Sequence, residues 1–155
     1  MISHSEIKQI LPHRFPMLLV DSVLAIETGR QIHAVKNVTG NESCYARLLD
    51  NSPRTAYAYP CSLVIESFCQ SAAILYASTM EQAAAKDRIL LFGSITGFRF
   101  HRNVYPGDTL HHLVRVEKLL STSAMFGGEV RVGETVVAEV ERLVVAVRPR
   151  THLKR

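Results

Sequence analysis

The chain has 155 residues, 47% hydrophobic and 21% charged, a composition that excludes a disordered polypeptide and suffices for one domain, 1–155, with a buried core. Its net charge of +4 comes without a basic stripe or interleaved aromatics, so nucleic-acid binding is not expected. No run is read as membrane-spanning and Met1–Ile10 has no signal-peptide pattern, so the expected location is cytoplasmic.

In chain order, Ser3–Gln9 (residues 3–9) reads as a short helix, with Ser3 as N-cap and Glu6 three residues on in a capping-box pattern. Leu11-Pro12-His13-Arg14-Phe15-Pro16 must be extended or turning, because each proline restricts the residue before it. Met17–Ile26 reads as a strand, Glu27–Arg30 as a turn, and Gln31–Asn37 alternates as a second strand. Residues 40–60 are punctuated by glycine, asparagine and proline, and form a loop long enough to suggest function.

From Pro60 the pattern changes. Ile65, Phe68, Cys69, Ala72, Ala73 and Tyr76 fall at helical spacing and predict a long buried helix. Ser62 could cap its start, and it is expected to run past Met80 to about Ala85. Strands are then predicted over Ile89–Thr96, Gly97–Val104, Thr109–Leu119, Ala124–Val132 and Thr135–Arg148, with turn signals at Tyr105–Asp108 and Val132–Glu134. A basic tail, 148–155, closes the chain and reads as solvated or as a docking surface for an acidic partner.

One helix cannot cover both faces of a sheet. The order of elements therefore predicts an α+β fold, an antiparallel sheet wrapped around one long helix, with a free face or edge for dimerisation. Cys44, Cys61 and Cys69 show no CxxC spacing. Were Cys61 and Cys69 on one helix they would be about 12 Å apart along it, too far for a disulfide, so free thiols in a reduced compartment are expected.

Four words in this chain occur in one family's order. They are Ile10-Leu11-Pro12-His13-Arg14-Phe15-Pro16-Met17-Leu18-Leu19-Val20-Asp21, Val35-Lys36-Asn37-Val38-Thr39-Gly40-Asn41-Glu42, Pro60-Cys61-Ser62-Leu63-Val64-Ile65-Glu66-Ser67-Phe68-Cys69-Gln70, and Phe98-Arg99-Phe100-His101-Arg102-Asn103-Val104-Tyr105-Pro106-Gly107-Asp108. Together they resemble the hotdog-fold 3-hydroxyacyl-acyl-carrier-protein dehydratases. The resemblance implies a dimer joined edge to edge. It also implies sites at the interface, each with a histidine from one subunit and a carboxylate on the central helix of the other. It carries no metal or other cofactor; the substrate rides on the phosphopantetheine of an acyl carrier protein. Glu66 matches the carboxylate through its flanking Leu63-Val64-Ile65 and Gln70. The family's Gly-His-Phe-Pro-Gly word is absent, since Ser43–Tyr59 contains no histidine, and the helix-start word is altered to Tyr59-Pro60-Cys61.

Dehydration removes a proton from C2 and hydroxide from C3, so it needs a base, an acid and stabilisation of the thioester oxygen. Glu66, among Val64, Ile65, Phe68 and Cys69, is expected to be desolvated, which suits an acid; a Glu stabilising the helix N-terminus is the plainer reading. The Cys61 and Ser62 amides are the candidate oxyanion donors, and Gln70, Tyr57 and Tyr59 are the remaining candidate substrate contacts, the two tyrosines as loop packing or as lining of the acyl tunnel. Asp50 is a possible alternative base. His13 is expected to be structural and His33 and His101 to be surface or core residues. His111 and His112 must face opposite sides of a strand. No metal-ligand spacing is present. Three readings follow. The chain could be the Glu-bearing half of a heterodimeric dehydratase in fatty-acid or polyketide/polyene biosynthesis. It could instead be a self-sufficient homodimeric dehydratase, isomerase or thioesterase, or a non-catalytic acyl- or carrier-binding subunit.

Overall fold

The computed structural model describes residues 1–80 and 88–149. Helix α1 (His4–Ile10) is one residue out of phase with expectation, and the Ser3 amide donates to Glu6 Oε2 at 2.8 Å, as the capping pattern required. Strands β1 (Ser22–Glu27) and β2 (Gln31–Asn37) pair antiparallel. β1 is shorter than predicted, because Met17 and Leu18 donate to the Arg14 carbonyl and close a turn instead of extending the strand.

Helix α2 (Cys61–Ser78) follows, then β3 (Arg88–Phe100), β4 (Thr109–Leu119), β5 (Ser123–Val132) and β6 (Thr135–Pro149). The two strands predicted over 89–104 are one. Gly97 adopts φ +64 inside it, and its missing Cβ leaves room for the Glu141 side chain. The six strands form one antiparallel sheet in the order β1-β2-β4-β5-β6-β3, so β1 and β3 are its edges.

The sheet curls round α2, and its inner face supplies Ile32, Ala34, Leu110, Val114, Phe126, Val130 and Leu143 to the core. Phe68, Ile74 and Leu75 of α2 are fully buried against them, each contributing about 1.5–3 kcal/mol. Burial extends beyond the predicted stripe. Ser67, Gln70 and Ser71 are buried too, while Ile65 and Ala73 are only half-buried. The two buried serines are satisfied by their own helix, Ser67 Oγ on the Val64 carbonyl at 3.1 Å and Ser71 Oγ on the Ser67 carbonyl at 2.8 Å.

Three expectations about this helix change. The N-cap is Pro60, not Ser62; a proline can stand there because helix-entry amides lack intrahelical acceptors and its φ of -57° already suits the turn. The helix ends at Ser78, where Ser78 and Thr79 hydroxyls turn back onto the carbonyls of Leu75 and Tyr76, both at 2.7 Å. Residues 81–85, where the helix was expected to continue, lie outside the described residues, as does most of the basic tail; Arg148 belongs to β6. Finally, Arg54–Ser78 does reach the length and apolarity of a membrane span, but 56% of its apolar window is buried inside the fold.

Candidate active site

Glu66 lies in the second turn of α2, its carboxyl 23% exposed. Gln70, one turn on and fully buried, organises the surroundings. Its Oε1 accepts from the Leu19 amide at 2.9 Å and the Val20 amide at 3.4 Å. Its Nε2 donates to the Met17 carbonyl at 2.6 Å and to Glu66 Oε1 at 2.8 Å. One side chain thus ties the segment after α1 to the central helix and holds the Glu66 carboxyl. Gln70, suggested by the sequence as a substrate contact, is fully buried with its polar atoms bonded to Glu66 and the Met17–Val20 backbone.

The tie brings His13 to the site. Its Nε2 lies 3.4 Å from Glu66 Oε1, while its Nδ1 is buried without a hydrogen-bond partner among the described residues. Arg14 fixes this turn by donating to the carbonyls of Lys8 (3.0 Å), Leu11 (2.9 Å) and His13 (2.6 Å). The sequence reading treated His13 as structural and missed this contact; the available signal was that its word and Glu66's word belong to one set. The surroundings of Glu66 are correspondingly more polar than Val64, Ile65, Phe68 and Cys69 implied.

The amides of Cys61 and Ser62 are the first of α2, on exposed residues. Those of Leu63 and Val64 bond to the Pro60 carbonyl at 2.9 and 3.2 Å, so the first two remain free to donate. The loop before them is packed. Lys36, on the core face of β2, pairs with Glu42 at 2.6 Å, both side chains largely buried. Tyr45 packs at a tilt against half-buried Tyr57 with ring centroids 5.6 Å apart, and Tyr59 is 3% exposed, its amide bonded to the Val104 carbonyl at 2.7 Å. Burial pushes the phenols of Tyr45 and Tyr59 well above their ordinary range, so neither works as an acid or base near neutrality. Tyr59 is thus a core residue of its own chain. Asp50 is exposed and forms no hydrogen bond or ion pair with Glu66 or His13 among the described residues.

The other histidines lie elsewhere. His33 Nε2 and His111 Nδ1 are 2.9 Å apart across β2 and β4, a pairing invisible without the strand register. His112 points the opposite way from His111, edge-on to Phe68, and is fully buried. His101 pairs with exposed Glu139 at 3.1 Å. All three cysteines are free; Cys44 and Cys61 are exposed and Cys69 is buried. Burial, with the charge of Glu66 adding to it, raises the Cys69 thiol to about 12, which holds it protonated and unreactive.

An antiparallel sheet curled round one helix, with a carboxylate near that helix's N-terminus, is the hotdog architecture. The FabA-like domain family matches residues 11–141, and the chain belongs to that family. It is 38% identical over 141 residues to the 3-hydroxyacyl-[acyl-carrier-protein] dehydratase FabZ of Paracidovorax citrulli, an alignment covering 91% of this chain and 94% of that one. Among solved structures it is similar to the dehydratase heterocomplex ApeI:P from Xenorhabdus doucetiae, with TM-score 0.71 and 19% identity over 95% of this chain and 93% of that one. It is also similar to thioesterase PA1618 from Pseudomonas aeruginosa, with TM-score 0.67 and 10% identity over 94% and 93%.

Proposed function

We propose that this chain is the Glu66-bearing half of a heterodimeric dehydratase, acting in the cytoplasm on 3-hydroxyacyl thioesters carried by acyl carrier protein. One observation carries the reading. A carboxylate is held in place at the start of the central helix by Gln70, yet the 38–60 segment that would present the histidine contains none and is closed by Lys36–Glu42 and Tyr45–Tyr57 packing. A held carboxylate without a histidine in that segment supports a site completed by a second chain. The FabZ relative supports the reaction class, and the heterocomplex of similar fold supports the pairing.

In this reading a second hotdog chain supplies a histidine that takes the C2 proton. Glu66 protonates the C3 oxygen as the C–O bond breaks and water leaves. The Cys61 and Ser62 amides donate to the thioester oxygen as charge develops there, where the positive end of the α2 dipole assists. No metal or further cofactor is invoked.

The test mixes the purified chain with a FabA-like hotdog chain from the same organism that keeps a histidine in the loop before its helix. Loss of 3-hydroxydecanoyl carrier thioester is followed by mass spectrometry. Activity should appear only in the mixture, and Glu66→Gln should lower it by about 10²–10⁴-fold. Equal activity from this chain by itself would sink the proposal.

A further inference from the structure

Two nitrogen atoms approach one oxygen of Glu66, one as a hydrogen-bond donor and one at longer range. Gln70 Nε2 is 2.8 Å from Oε1 and His13 Nε2 is 3.4 Å from that same atom. We propose that His13 is a positioning residue which, together with Gln70, occupies Oε1 and so reserves Oε2 as the oxygen that delivers the proton. The inference rests on the acid role of Glu66, but not on which chain supplies the base.

The Nδ1 of His13 is buried with no partner among the described residues, so placing the ring's hydrogen there would strand a buried donor. The hydrogen therefore belongs on Nε2, the ring nitrogen nearer the carboxylate. At 3.4 Å the contact is longer than a well-formed N–H···O bond, as catalytic contacts often are before substrate arrives. A carboxylic acid whose one oxygen accepts from two N–H groups carries its own hydrogen on the other oxygen. During elimination the Oε2–H bond breaks and its hydrogen joins the leaving hydroxyl as water. The two N–H groups on Oε1 stabilise the carboxylate left behind.

The same geometry argues against His13 as the base. A base must contact the C2 hydrogen while Glu66 contacts the C3 oxygen, and His13 instead sits against the oxygen that Gln70 already holds. Its turn is fixed by the three carbonyl contacts of Arg14, and its segment is tied to α2 by Gln70. The placement is therefore fixed by hydrogen bonds from both sides, those of Arg14 to its own turn and that of Gln70 to Met17.

The test has two arms. In the active mixture, His13→Gln keeps an N–H donor without the ring, and His13→Phe keeps a ring without the donor. The Gln variant should retain kcat within about threefold. The Phe variant should lose about tenfold to a hundredfold in kcat, with KM little changed, since one charge-assisted hydrogen bond to a reacting group is worth about 1.5–3 kcal/mol. A packing role would reverse that order, and full activity in His13→Phe would overturn the proposal. Retained activity in Glu66→Gln would instead show that the acid assignment itself had failed. The second arm needs no partner: nitrogen NMR of histidine in the chain alone should show His13 with its hydrogen on Nε2 and a resonance that moves in Glu66→Gln. A hydrogen on Nδ1 would overturn the proposal.

Discussion

Single side chains in this molecule are used against their usual habits, and His112 is the plainest case. It is fully buried under Phe68, and among the described residues neither ring nitrogen has a partner. Burial, aided by His111 and His33, depresses its pKa from the ordinary 6.5 to about 3. The sign follows directly. Above pH 6.5 the imidazole is neutral in the folded and unfolded chain, and pH does not matter. As pH falls from 6.5 toward 3 the unfolded chain takes up a proton that the folded chain refuses, so stability is lost through that window. His112→Leu should remove this component. Urea midpoints at pH 7 and pH 4.5 should fall less in the variant than in the parent, and equal falls would contradict the assignment. At pH 7 the variant should be at least as stable, because two unpaired buried nitrogens are gone. Gln70 is the opposite case, a buried amide with both ends satisfied by backbone and Glu66.

Among the elements, the β4–β5 pair depends on one glycine. Gly128 lies opposite Val114 at φ +156, and a Cβ built there would land on the Leu113 carbonyl oxygen. Gly128→Ala must either open the ladder or strain the backbone, and about 3 kcal/mol of destabilisation is expected. Chemical denaturation of the variant checks this; a midpoint within error of the parent would show that the strands shift freely. Helix α2 shows the same reasoning at larger scale. Its predicted stripe was too narrow because periodicity reports the strongest contact face, whereas a curled sheet reaches round several faces. Polar residues such as Ser67 and Ser71 are carried inward by hydrogen-bonding to their own helix.

For the whole molecule, the sheet leaves β3 as a 13-residue edge with no strand on its outer side among the described residues. Leu91 and Phe100 on it are 45% and 37% exposed. A long apolar edge is a template for pairing, and the proposed heterodimer would use it. Leu91→Lys should weaken association with the partner chain by about tenfold or more, read by sedimentation, with the fold of the isolated chain unchanged by circular dichroism. Unaltered association would move the interface elsewhere.

Much of this protein was legible from local chemistry. Alternation placed β2 and β4 to the residue, the helical spacing from Ile65 to Tyr76 found α2, and four ordered words pointed to the family and to Glu66. Those signals are local, because strand and helix periods are written in neighbouring residues. The tertiary structure alone decided what lies against Glu66. His13 reaches it only because Gln70, from another element, captures the Met17–Val20 backbone. The cross-strand His33–His111 pair was likewise hidden. Contacts between distant segments depend on register and packing, and no periodicity along the chain records them.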